Sequence, residues 1–203
     1  MNVCRVPPRE FPNAVVDTVL ESKPVEKSIV MAGGCFRCTE AVFRELRGVR
    51  SVMSGYSGGA ASTANYRAVC GGNTGHAEAI EIRYDASQCT LGQLLKIFFS
   101  VAHDPTQLNG QGADMGTQYR SAIFYSNDEQ RRVAEAYIHQ LDAAKIFAKP
   151  IVTTLEPLKE FFPAEEYHQN YAALNPTQSY IAYVAAPKVA ALRENFSEKL
   201  KSS

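Results

Sequence analysis

The chain has no tryptophan and no surplus of charge, since its 21 Lys and Arg residues are balanced by 21 Asp and Glu. That balance removes the bulk electrostatic case for nucleic acid or an anionic membrane surface as a partner. No apolar run approaches the ~18 residues needed to span a bilayer. The N-terminus, MNVCRVPPREFP, lacks both an unbroken apolar region and a small-residue cleavage site, so a secretory signal is not expected and a cytoplasmic protein is. Cysteine is sparse as well. Cys4, Cys35, Cys38, Cys70 and Cys89 make an odd set without the spacing of a secreted disulfide framework. Cys4, Cys70 and Cys89 read as small buried hydrophobes. His76, His103 and His168 have no partners at metal-ligand spacing and read as structural hydrogen-bonders, so neither a metal nor a cofactor is expected.

What is present suffices for a core. Apolar residues make up 45% of 203 positions, which excludes disorder of the whole chain and suits one domain with extensions. Residues 1–26 read as an irregular arm, 27–188 as the folded domain and 189–203 as a docking helix or tail with Val189, Leu192, Phe196 and Leu200 at helical spacing. KSIVMA at 27–32 predicts a buried strand; Gly33 and Gly34 break it and open a helix from Cys35 to Arg47. Further strands are expected at 49–54, around Ile80–Tyr84 with a half-exposed alternation, at 119–125 and at 151–155. Thr90 caps a helix presenting Leu91, Leu94, Leu95 and Phe98, and Ser126 with Glu129 forms a capping box before Val133, Tyr137 and Leu141. Pro163 begins a short helix through AEEYHQNY. Interleaved strands and helices with unequal loops predict a two-layer α/β sandwich with a mixed or antiparallel sheet. The Gly-rich loop 55–75 is too long to be a mere connector, and it matches neither a dinucleotide nor a phosphate fingerprint.

Cys35-Phe36-Arg37-Cys38 sits where a strand meets a helix. A helix N-terminus stabilises a thiolate, and such settings lower a cysteine pKa from ~8.5 to ~3.5–7.5. Cys38 lies within reach on the same face. Half of a zinc site, a disulfide-exchange motif and buried structural cysteines are all open on spacing alone, with redox exchange in front.

The residues AGGCFRCTEAVFRELRGV, SGYSGG, NYRAVCGGNTGHAEAIEI, AHDPTQLNGQGADMGTQYRSAIFY and EEYHQNY, spread from about Lys27 to Lys188, resemble the A-type peptide methionine sulfoxide reductases. The resemblance implies a ferredoxin-like sandwich and thiol-dependent reduction of methionine-S-sulfoxide, free or in proteins. It implies Cys35 as nucleophile, Glu78 as proton donor to the sulfoxide oxygen, and Tyr66 and Tyr119 as hydroxyls on that oxygen. Phe36 falls among the residues holding the substrate methyl group, and Asp114 in a further substrate-binding segment. A sulfenic acid on Cys35, condensation with a second thiol and recycling by thioredoxin or another dithiol follow, with no nucleic acid or membrane partner and a monomer expected.

Two departures from the family pattern bear on activity. Arg37 stands where the family has Trp, removing half of an aromatic methyl cage. The lost sulfur–aromatic contact and methyl burial amount to roughly tenfold in binding. The late cysteine of many relatives is also absent, its place reading Ser179-Tyr180-Ile181, which makes Cys38 the expected resolving thiol and Cys70 the second choice. A general CxxC oxidoreductase and a binding-only relative weakened by Arg37 are the competing readings.

Overall fold

The computed structural model describes residues 6–201. Its first strand, β1 (Glu26–Gly33), is followed by helix α1 (Phe36–Arg44), strand β2 (Val49–Ser57), the short helix α2 (Tyr66–Cys70) and strand β3 (Ala77–Asp85). Helix α3 (Leu91–Ile97) continues through a π-helical turn at Phe98–Ala102 to a small ribbon of β4 (Gly110–Gln111) and β5 (Asp114–Met115). Strand β6 (Ser121–Tyr125), helix α4 (Asp128–Ala143), strands β7 (Thr154–Pro157) and β8 (Phe161–Pro163), and helices α5 (Tyr171–Leu174) and α6 (Ala186–Asn195) complete the chain.

The central order β6-β1-β3-β2 is that of a ferredoxin-like sheet, with α1 and α3 as the two crossovers. Those four strands pair antiparallel, β7 adds in parallel beside β6, and β8 adds antiparallel beside β2. Alternation along β1 sets the layers. Ile29 and Met31 join the helices over one face, in the cluster that holds Ile80, Ile82, Leu94, Leu95 and Tyr137. Val30 and Ala32 face the other way onto Ala77, Ala79, Ala122 and Phe124, a thinner layer covered by Leu158 and Phe161. Small residues suit that face because only loops lie over it.

The fold refines several sequence expectations. Helix α1 stops at Arg44 because the groups beyond it pair with the tail: Arg47 N–H donates to the Lys199 carbonyl (2.8 Å) and Lys201 N–H to that of Glu45 (2.9 Å). Strand β3 is buried on both sides except at Glu81 and Arg83, since neighbours flank it on either edge. The cap of α4 is Asn127, whose side chain accepts from Gln130 N–H; Ser126 instead bonds Gln130 Oε1, so no Ser126–Glu129 box forms. Thr90 does form a capping box, with Gln93. Residues 117–119 are a 3₁₀ turn ahead of β6, and β7 begins three residues later than Ile151. The segment after Pro163 is not one helix but a 3₁₀ turn at Glu166–His168 followed by α5, and β8 before it is a strand the sequence did not announce. The tail helix ends at Asn195, with Leu192 and Phe196 buried.

Residues of the arm pack on the domain. Phe11 is buried, Tyr137 Oη donates to the Pro12 carbonyl (2.7 Å), and Asp17 accepts from Gly92 N–H (2.7 Å) and Thr90 Oγ1 (2.7 Å) at the head of α3. No helix among the described residues is long and apolar enough to cross a membrane. Cys89 is buried as expected, whereas Cys70 is exposed at the end of α2. Cys4 lies outside the described residues.

Candidate active site

Strand β1 delivers the chain into a tight turn at Gly34, where φ is +85° and a Cβ would meet Gln111 at 2.7 Å, so only glycine fits. The turn places Cys35 at the N-cap of α1, half-buried, with Cys38 one helical turn on and 1% exposed. The neighbouring strand β3, reached across the sheet from β2, brings Glu78 beneath the same helix end. Phe36 N–H, one of the orphan donors of α1, gives its hydrogen bond to Glu78 Oε2 (3.1 Å).

Glu78 is 2% exposed. Burial pushes its carboxyl well above the ordinary carboxylate range, the nearby Cys35 sulfur adds to this, and the Phe36 hydrogen bond only partly opposes it. Both effects favour the protonated form that the expected proton donor needs.

The sulfur pair corrects one expectation. Cys35 was read as the ionised thiol, but its hydrogen bond to Cys38, reinforced by burial, raises its pKa well above an ordinary thiol's; the Arg37 N–H at the helix start offsets little of this. The lowered partner is Cys38, which accepts that hydrogen bond and faces Lys188 and Tyr180. One proton is thus shared between the two sulfurs, and the pair titrates as a unit.

The Gly-rich loop places Tyr66 at the start of α2, and the turn after β5 places Tyr119. Both rings face Glu78, and Tyr119 also faces Asp114, Cys35 and Cys70. Burial raises both phenols, Tyr66 to about 12, so each remains a donor at neutral pH. Tyr66 Oη is engaged with the Cys70 sulfur, its second-largest influence after burial. Asp114, on β5, accepts a short hydrogen bond from Tyr180 Oη. Phe36 is fully buried, its ring centroid 5.1 Å from His168 and 5.8 Å from Tyr56. All eight residues named from the sequence, Cys35, Phe36, Arg37, Cys38, Tyr66, Glu78, Asp114 and Tyr119, therefore gather at one helix end.

The place of the missing indole is not empty. The Arg37 guanidinium lies 4.1 Å from the Tyr171 ring centroid and 5.8 Å from that of Tyr66, and its Nε and Nη2 donate to His168 Nδ1 (3.3 and 2.8 Å). A flat cation thus fills the aromatic's position. His168, read as structural, is fully buried, and burial with the Arg37 charge lowers it to about 4, which keeps it neutral. His76 is bonded to Gly59 N–H and the Ala60 carbonyl, and His103 to the Phe98 carbonyl and Ser121 Oγ.

Several contributors escaped the sequence reading. Glu165 accepts from Tyr66 N–H (2.9 Å) and Tyr56 Oη (2.8 Å), tying α2 to β2. Tyr180 and Lys188, from the turn before α6 and from α6 itself, close the Cys38 side; Lys188 Nζ donates to the Ala102 carbonyl (2.7 Å) and faces Cys38, Cys35 and Asp114. Tyr180 was visible in sequence only as the residue before a missing cysteine. Among the described residues no group of three or more His, Cys, Asp and Glu is arranged to hold a metal.

Comparison with known proteins agrees with this geometry. A protein from Mesorhizobium japonicum named peptide methionine sulfoxide reductase MsrA 2 is 53% identical over 176 residues, covering 87% of this chain and 90% of its own. A Synechocystis protein of the same name is 48% identical, covering 95% and 92%. Among solved structures, Mxr1 of Saccharomyces cerevisiae in reduced form superposes with a TM-score of 0.70 at 34% identity, covering 81% of this chain and 92% of that one. The same yeast protein has been solved in complex with Trx2, and there the TM-score is 0.50 at 26% identity over 72% and 85% of the two chains. Residues 27–200 match the family described as peptide methionine sulfoxide reductase, and the chain belongs to that family.

Proposed function

We propose that the protein reduces methionine-S-sulfoxide, free or in peptides, to methionine, with Cys35 as nucleophile, Glu78 as acid and Cys38 as resolving thiol. The observation that carries this reading is a buried Glu78, its carboxyl pushed up by that burial, bridged to the Cys35 helix end by one hydrogen bond. A sulfoxide sulfur accepts a nucleophile once its oxygen is protonated.

The Cys35 sulfur attacks the sulfoxide sulfur while its proton passes to Cys38, and Glu78 gives its proton to the oxygen. Tyr66 and Tyr119 donate hydrogen bonds as charge develops there. In the adduct the hydroxyl then migrates from the substrate sulfur to Cys35: the substrate S–O bond and the S–S bond to Cys35 break, a Cys35 S–O bond forms, and methionine leaves with the electron pair, so that Cys35 becomes a sulfenic acid. Cys38 then attacks that sulfur; the S–O bond breaks, its proton completes a water molecule, and a Cys35–Cys38 disulfide remains. A dithiol reduces the disulfide and its second proton returns to Glu78. Trx2 bound to yeast Mxr1 supports a thioredoxin in that role. Residues 27–188 form the catalytic unit, with 1–26 as an arm and 189–203 as a docking tail, and the compartment is the cytoplasm.

Dithiothreitol-driven turnover of S- and R-epimer substrates, with Cys35→Ser as control, tests the reading. S-selective reduction that vanishes in the serine variant is expected. Insulin disulfide reduction without sulfoxide turnover would replace it by general thiol–disulfide exchange, and binding without turnover by a non-catalytic role.

A further inference from the structure

Resting on that reading, we propose that Arg37 makes the enzyme selective for sulfoxides that carry a nearby carboxylate, either the α-carboxylate of free methionine sulfoxide or an acidic residue beside it in a peptide. Of the cations on the segments that build the site, Arg120 and Lys188 are already engaged. Arg120 is held by Glu156 through Nε and Nη2 (3.1 and 3.2 Å). Lys188 faces the Cys38 sulfur and Asp114 while bonding the Ala102 carbonyl. Arg37 has no carboxylate within 4.0 Å among the described residues, its two bonds to His168 going to a neutral ring.

The acids within its field are committed elsewhere. Glu78 accepts from Phe36, Asp114 accepts from Tyr180, and Glu165 accepts from Tyr66 and Tyr56. The Nη1 amino group has no protein acceptor among the described residues, although the guanidinium is clamped in plane by Tyr171 and His168. A fork of donors, oriented in advance and lacking a counter-ion, is built to meet a carboxylate. The reach is suitable. In methionine sulfoxide the sulfur and the carboxylate carbon are four bonds apart, about 5 Å when extended. The Arg37 guanidinium lies 5.8 Å from the ring centroid of Tyr66, one of the two hydroxyls expected on the sulfoxide oxygen, so a carboxylate a few bonds from that sulfoxide falls within its range. An indole at the same position would offer no such charge.

The test compares kcat/KM for N-acetyl-methionine-S-sulfoxide with that for its neutral methylamide, and for an amide-capped sulfoxide–Asp dipeptide with the sulfoxide–Asn equivalent. The first pair reads the α-carboxylate and the second the side-chain source. A charge at this distance in a partly exposed site gives a preference of about five- to tenfold at low salt, shrinking as salt is added. Arg37→Gln and Arg37→Trp are expected to abolish the ratio in whichever pair shows it, and Arg37→Lys to keep most of it. Because each variant is read as a ratio of charged to neutral substrate, a general disturbance through His168 cancels. No preference in the native protein, or a preference that survives Arg37→Gln, overturns the proposal. Calorimetric titration of Cys35→Ser protein with the same four compounds reads Arg37 without turnover. Absence of turnover on every substrate would strike the reductase reading, while the binding ratio would still decide the role of Arg37.

Discussion

Glu78 is the acid of the proposed reaction, and its burial makes that role measurable. An exposed glutamate is ionised above pH ~4.3. Burial and the Cys35 sulfur raise Glu78 well above that, so the folded state keeps a proton the unfolded chain has lost. Stability therefore falls as pH rises from the unfolded-state value through the folded one. Glu78→Gln removes that loss and can still accept from Phe36 N–H. Its melting temperature at pH 7–8 is expected to exceed the native one by a few degrees, on the scale of about 2–4 °C per kcal/mol, while kcat/KM falls by roughly 10²–10⁴. The native activity should decline as pH rises through the Glu78 titration, and the residual activity of the variant should lack that limb. A variant that melts lower, or retains full activity, would contradict a neutral buried acid. Lys188 permits a complementary measurement. Removing its charge in Lys188→Met raises the pKa of Cys38, so the alkaline-rising limb of the kcat profile should move to higher pH and the turnover lost at pH 7 should return there. Lys188→Arg should stay near the native profile. A purely structural lysine would lower activity equally at all pH values.

Among the elements, the stretch from β8 to α5 does the least obvious work. Gln169 lays its side-chain amide against β2 like a short piece of strand, accepting from Ser54 N–H (2.9 Å) and donating to the Ser54 and Ala164 carbonyls (2.9 Å each). That clamp holds the turn carrying Glu165 and His168 over Phe36 and Tyr66. Gln169→Ala leaves the Ser54 N–H without its acceptor, while the Ser54 carbonyl keeps the Ala164 N–H (2.8 Å), a cost of ~1–3 kcal/mol. Urea denaturation should show that loss, and KM for sulfoxide substrates should rise more than kcat falls, because the rings move and the sulfurs do not. Here the sequence was only partly legible. AEEYHQNY read as a short helix begun by Pro163, but Asn170 sits at φ +53° and the neighbouring side chains are spent on distant elements, which breaks the segment into two turns. Helix α1 was legible at its start, where glycine, thiol and orphan N–H groups act locally, and not at its end, where the partners are Lys199 and Lys201.

At the scale of the whole molecule, arm and tail fasten the two helices that flank the site. Asp17 supplies the head of α3 with acceptors that Thr90 alone cannot, and Leu192 and Phe196 of the tail bury themselves against the main core. Full burial of two such side chains contributes about 3–6 kcal/mol. Asp17→Ala should therefore lower stability by ~1–2 kcal/mol, as loss of a helix cap does, with kcat/KM unchanged at temperatures where the protein is folded. A thermal scan with a parallel assay checks both parts; a large loss of activity without loss of stability would place the arm in the chemistry instead.

The sequence by itself determined the strand–glycine–thiol–helix turn, the capped helix at Thr90, the inward alternation of the central strands and the set of side chains able to reduce a sulfoxide. Each of these follows from forces acting within a few residues, or from chemistry a side chain carries wherever it lies. Tertiary structure alone decided that the two sulfurs share a proton, that Glu78 is driven toward its neutral form, and that Arg37 rests between rings without a counter-ion. Those properties depend on desolvation and on charges supplied by β3, β5 and α6, distant in the chain and adjacent only once the sheet has formed.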